Sequence, residues 1–138
     1  MRVRAVTLSI ATLLGCAAGP VAAHHSFAMF DMQKSVKLEG TVKEYQWTNP
    51  HVWIQLLAKD ASGKEVEWAI ECNATSGMGR TGWTRKTLKA GDKISLVIHP
   101  LKTSIEPGGT LVSATINGQT LNGTGGGQRS EYAPGTTP

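Results

Sequence analysis

Five short segments of alternating apolar and polar residues, with turn signals of Gly, Asn and Pro between them and a Gly-rich link after the third, predict a mostly β chain. The order of these segments matches a small five-stranded OB-like barrel with a short helical turn between strands three and four. A β-sandwich fragment is the alternative arrangement of the same segments. Closing into a barrel also removes the exposed edges that a small sheet must otherwise protect.

The first strand begins at Val36. Val36, Leu38, Gly40 and Val42 share one face, and Lys37, Glu39, Thr41 and Lys43 share the other. Tyr45 and Trp47 are out of phase with that pattern, which predicts a bulge or sharp coil near Gly40–Glu44. Asn49-Pro50 then punctuates the chain. The second strand reads from His51 to Ala58, with Val52, Ile54 and Leu56 inward and His51, Trp53 and Gln55 outward.

Asp60-Ala61-Ser62-Gly63 is a hairpin turn in which Gly supplies a positive φ. The third strand, Glu65–Cys72, sets Val66, Trp68, Ile70 and Cys72 inward, against a solvated face of Glu65, Glu67, Ala69 and Glu71. Residues 73–83 read as a small-residue link, and Thr84 as the cap of a helical turn through Leu88 that Gly91-Asp92 ends. A fourth strand covers Lys93–His99 and stops at Pro100. After a loop at 101–109, the fifth spans Thr110–Ile116, and Asn117-Gly118 turns the chain into a short return at Gln119–Leu121.

The ends of the chain set its compartment. Arg2 and Arg4, an apolar run from Ala5 to Leu14, a break at Gly19-Pro20 and small residues up to Ala23 form the pattern of a secretory signal. The run is shorter than the roughly 20 residues a membrane-spanning helix needs, so no membrane span is expected. The expected division is a signal peptide at 1–23, an N-terminal arm at 24–35, the OB-like β domain at 36–121 and a disordered Gly/Thr/Pro tail at 122–138. A periplasmic or secreted location follows. Leu13-Leu14-Gly15-Cys16 is the alternative processing signal, in which an acylated Cys16 would anchor a lipoprotein to a membrane surface.

Loss of Arg2 and Arg4 lowers the formal charge from +4 to +2. No dense Lys/Arg cluster occurs, so nucleic acid is not an expected partner. Cys72 alone cannot form an internal disulfide once Cys16 leaves, and it reads as a small buried hydrophobe.

Several separated blocks then occur in a telling order. These are Ala23-His24-His25-Ser26-Phe27-Ala28-Met29-Phe30-Asp31, Gly40-Thr41-Val42-Lys43-Glu44 and Trp47-Thr48-Asn49-Pro50-His51-Val52-Trp53. Gly82-Trp83-Thr84-Arg85 and Leu88-Lys89-Ala90-Gly91-Asp92 follow. Together they resemble a family of small exported bacterial proteins whose domain has no assigned function, over roughly residues 23–121. The chain departs from that family at Cys72-Asn73-Ala74-Thr75-Ser76, where a Gly/Pro-containing segment is more usual. The resemblance implies an exported OB-like domain and no particular activity.

The residues themselves suggest one metal chemistry. Cleavage after Ala23 would give His24 a free amine beside its imidazole, able to chelate one ion. His51, at the start of a strand, would supply a third nitrogen, and His25, Met29 or Met32 further ligands. Nitrogen-rich sites of this kind suit copper, which is the one cofactor the sequence suggests. The plainer reading is a polar mature start, with His51 a hydrogen-bonder that pins the Trp47–Trp53 bend and His99 a surface residue at a strand end. Trp47 and Trp53 flank the Pro turn and offer a ligand-stacking platform, unless Phe27 and Phe30 of the arm cover Trp53.

No Ser–His–acid spacing, phosphate loop or Cys-x-x-Cys is present, so no catalytic residues are expected. Three readings follow: a non-enzymatic binding or accessory module, a copper protein using His24 and His51, and an envelope interaction protein using the Trp53 face with an unknown protein partner.

Overall fold

A computed structural model describes residues 27–103 and 106–123. The signal segment with Cys16, residues His24 and His25, and the tail from residue 124 lie outside the described residues. Among the described residues there are six strands: β1 (Val36–Gln46), β2 (Trp53–Lys59), β3 (Glu65–Glu71), β4 (Lys93–Pro100), β5 (Gly108–Ile116) and β6 (Gln119–Asn122). One short helix, α1 (Thr75–Arg80), joins β3 to β4. The sheet runs β3-β2-β1-β4-β5-β6, and a parallel β3–β5 pairing closes β1 to β5 into a five-stranded barrel. β6 extends that barrel as a flap on β5. Among the described residues, no helix is long and apolar enough to cross a membrane.

β1 makes closure possible because it serves two neighbours. Val36–Thr41 pairs with β4, and Gly40–Gln46 pairs with β2. At the handover the chains approach so closely that a Cβ on Gly40 would strike the Leu57 carbonyl oxygen. The phase slip read from the sequence is a bulge: Val42 faces Leu56 and Glu44 faces Gln55, leaving Lys43 extra. One added residue turns Tyr45 back toward the core that Val42 already faces.

β5 repeats the device, with Ile98 opposite Leu111 and Val97 opposite Ser113, so that Val112 bulges and Leu111 and Ala114 both point inward. The core holds most of the inward positions expected on the first three strands, whereas Val36, Val66 and Trp68 are only partly buried. Val42, Val52, Ile54, Leu56, Ile70, Cys72, Leu96 and Ile98 are buried together with Leu111.

The turns bear out their sequence signals. Asp60 Oδ1 accepts hydrogen bonds from the Ser62 and Lys64 amides at 2.8 and 3.1 Å, and Gly63 takes φ +83°. Asn117 and Gly118 both take positive φ, as a two-residue hairpin with matching twist requires.

The link between β3 and β4 corrects the sequence reading. Thr84–Leu88 is not helical. It is a turn in which the Thr84 amide donates to Thr87 Oγ1 at 2.7 Å and the Thr87 amide donates to the Thr84 carbonyl at 3.1 Å. The helix lies earlier, within the stretch read as a plain link. Each of its two glycines costs about 1 kcal/mol in a helix, but Met78 is fully buried in the core and holds the turn in place. Its start is capped from a distance, since Asn49 Oδ1 accepts from the Thr75 amide at 3.1 Å and from Thr75 Oγ1 at 2.9 Å.

β6 also runs one residue past the expected return. Asn122 pairs with Ser113, and its carbonyl accepts the indole N–H of buried Trp83 at 2.9 Å.

Candidate functional site

Residues 27–35 of the arm lie against the barrel and help to form the site. After one 3-10 turn at Phe27–Met29, Phe30 pairs antiparallel with Leu101 and is only 3% exposed. Backbone bonds fasten both sides of this contact: Asp31 N donates to Pro100 O at 2.8 Å and Lys102 N to Met29 O at 2.9 Å. His99 Nδ1 meets the Lys34 carbonyl at 2.7 Å. A carbonyl can only accept, so this ring nitrogen carries the proton. Phe27, by contrast, is 55% exposed, so Phe30 is the aromatic residue of the arm that the barrel buries.

Strand register places four side chains in one row on the outer face. Trp53 stands opposite Glu71, Glu71 beside Thr110, and Thr110 opposite His99, so the row crosses β2, β3, β5 and β4. Between this row, the arm and the loop before β5 lies a cleft of about 180 Å³. Its apolar lining is Met29, Phe30, Trp53, Leu101 and Pro107, and its charged groups are Glu71 and Glu106. Gly108 and Gly109 complete it next to Ala69. A Cβ on Gly109 would lie 2.5 Å from the His99 carbonyl oxygen, so the seam there admits no side chain.

His51 sits just before β2, its side chain 35% exposed. Its Nδ1 lies 3.1 Å from the Cys72 carbonyl and 3.2 Å from Glu71 Oε1. Both partners are acceptors, so the neutral ring holds its proton on Nδ1 and presents a lone pair at Nε2. Glu71 is only 12% exposed, which corrects its reading as part of a solvated face. Glu65 and Glu67 are exposed as expected. Cys72 is buried, and burial, followed by the Glu71 charge, raises its thiol pKa. It is no nucleophile.

The two tryptophans of the suggested platform occupy different surroundings. Trp53 lines the cleft. Trp47 packs on the core beside Tyr45, with ring centroids 6.0 Å apart, and is not among the cleft's lining residues. Tyr45 donates to the Thr84 carbonyl at 3.0 Å, and its pKa is raised chiefly by burial. Trp68 points inward in phase with Leu56 but is only partly buried, lining a second cleft next to the 106–108 segment.

Met29, Glu71 and Glu106 are the cleft residues sequence reasoning did not bring together. One signal was available for Glu71: counting outward from the 60–63 turn places it opposite Trp53. Among the described residues there is no group of three or more His, Cys, Asp or Glu able to hold a metal. His24 and His25, the other expected ligands, lie outside the described residues.

Barrel, arm and cleft define a small closed β-barrel whose N-terminal segment folds back to wall a pocket on its outer face. The chain belongs to a family of unknown function, DUF6152, whose model matches residues 11–110. Comparison with curated proteins finds no match.

Proposed function

We propose that this protein is an exported, non-enzymatic binding module built on an OB-like barrel, acting in the periplasm. The strand order, with β5 closing on β3 and a helix between β3 and β4, supports the OB-like reading. The secretory pattern at residues 1–23 supports export.

The observation that carries the binding role is the cleft. An indole, a thioether and the partly buried Glu71 line one small hollow, the combination of apolar walls and few polar groups that ligand sites use. The same barrel face carries Glu65, Glu67, Glu71 and Glu106, which repel a polyanion and argue against nucleic acid.

A fragment screen read by ¹H–¹⁵N NMR tests this. The Trp53 indole signal and the Gly108 and Gly109 amide signals should shift saturably with at least one small molecule, and Trp53→Leu should remove the shifts at the two glycines. A screen that leaves the Trp53 signal unmoved overturns the binding role.

A copper site is the second reading, and the tautomer of His51 favours it. A histidine whose other N–H is held by a carboxylate and a carbonyl is oriented as metal-bound histidines are. The remaining nitrogens would come from His24, with His25 nearby. Native mass spectrometry of the protein purified from an export host grown with trace copper decides it. One copper on a chain beginning at His24 supports the site; a metal-free chain with that start, or an acylated Cys16, removes it.

A further inference from the structure

The described residues end at Gly123, which is bonded to β5, the strand whose first residues wall the cleft. We propose that Tyr132, from residues 124–138 of the same chain, docks in the cleft and competes with outside ligands. This rests on the binding-module reading and names how the same site is regulated.

The path of the chain carries the argument. β6 runs antiparallel to β5, so a chain continuing past Asn122 heads toward Gly109 and Gly108, two walls of the cleft. The Gly123 amide donates to the Val112 carbonyl at 2.8 Å, which fixes the point of departure. β4 occupies one edge of β5, and β3 takes the other edge ahead of Gly123, at Gly108–Thr110. The chain must therefore leave the ladder. Core side chains fill the inside of the barrel, so it leaves over the outer face, where the cleft lies. Val112 to Gly109 is about 10 Å along the strand. The chain from Gly123 to Tyr132 can span at most about 30 Å, which is ample.

The walls decide which residue. The hollow, at about 180 Å³, is smaller than the roughly 300 Å³ at which small-molecule sites usually begin, and it suits a single ring. Met29, Phe30, Trp53, Leu101 and Pro107 present carbon to it. Met29 is still 50% exposed, so apolar surface is left to cover. Thioether and indole both make favourable contacts with an aromatic ring. Glu106, exposed at the rim, offers an acceptor for a phenol hydroxyl. Within residues 124–138, Tyr132 is the one aromatic residue, and Arg129 and Glu131 cancel in charge. The ring is what this segment has to offer.

The test uses the full chain and p-cresol, the tyrosine side chain as a free molecule. The wild-type chain should show nuclear Overhauser contacts between the Tyr132 ring and the Met29 methyl, unchanged on dilution. Tyr132→Ala should shift the Trp53 indole and the Gly108 and Gly109 amides, and leave the signals of Tyr45, the other tyrosine, in place. p-Cresol should bind that variant several-fold more tightly than wild type, because a tethered ring competes at roughly millimolar effective concentration. Cleft signals that ignore Tyr132→Ala, with equal p-cresol affinity in both chains, overturn the docking, while hits in the fragment screen keep the binding module. A contact that fades on dilution overturns docking within one chain. Silence of p-cresol and of the fragment screen in both chains, with no Tyr132 contact, overturns both readings.

Discussion

Trp53 and Glu71 stand directly opposite each other across the β2–β3 ladder, an indole and a carboxylate side by side on the outer face of the barrel. The turn at Asp60–Gly63 fixes that pairing, because a one-residue slip would move either side chain to the other face. The chemistry of the cleft therefore depends on a turn at the far end of the hairpin.

That turn has a predictable acid response. The Asp60 carboxylate is held below its ordinary value, first by the Ser62 hydroxyl and then by backbone amides. A carboxylate lowered in the folded state contributes stability above its unfolded pKa and loses it as pH falls through the folded one. The Tm difference between the wild-type chain and Asp60→Ala should stay constant near neutral pH and shrink below about pH 4. A difference that grows on acidification would contradict this role.

Removing the distant cap of α1 gives a second test. Asn49→Ala leaves the Thr75 amide without its acceptor and should cost about 0.5–2 kcal/mol by urea denaturation. Amide exchange should quicken first at Thr75–Met78.

Two glycines should respond in opposite directions. Gly109→Ala forces a methyl against the His99 carbonyl and the Ile98 side chain, and should destabilise the barrel by about 1–3 kcal/mol. Gly79→Ala meets nothing within 4 Å on the exposed side of α1 and should stabilise by about 0.4–1 kcal/mol. Urea midpoints for the pair check both.

The proton on His51 can be observed directly. Ring ¹⁵N shifts of the neutral form should show a protonated Nδ1 and an unprotonated Nε2, and His51 in Glu71→Ala should lose part of that preference. A dominant Nε2–H tautomer would remove the orientation on which the copper reading depends.

Much of this barrel is legible in the residues because its strands alternate cleanly. The inward positions Val52, Ile54, Leu56, Ile70 and Cys72 follow from period two alone, and the slip before Tyr45 announces its bulge. The helix does not follow, because six residues with two glycines hold no usable period. Burial of Met78 decides it, and that is a fact of the whole fold. The Val112 bulge is hidden for a related reason: Leu111, Ala114 and the residues between them are too uniformly small or apolar to show a change of phase. The cleft was half visible. Trp53 and Phe30 were natural partners, whereas Glu106 reaches it from a loop whose path no local pattern sets.

Gly108–Leu111 are buried on a strand that has the core on one side and the arm and cleft on the other. A stretch with no outside has little freedom to vary, and its two glycines have none for bulk. Variation in the lining of the cleft is therefore left to its margins, the arm ahead of β1 and the residues just ahead of β5. Swapping those two short stretches between relatives should carry ligand preference with them and leave the barrel as it is.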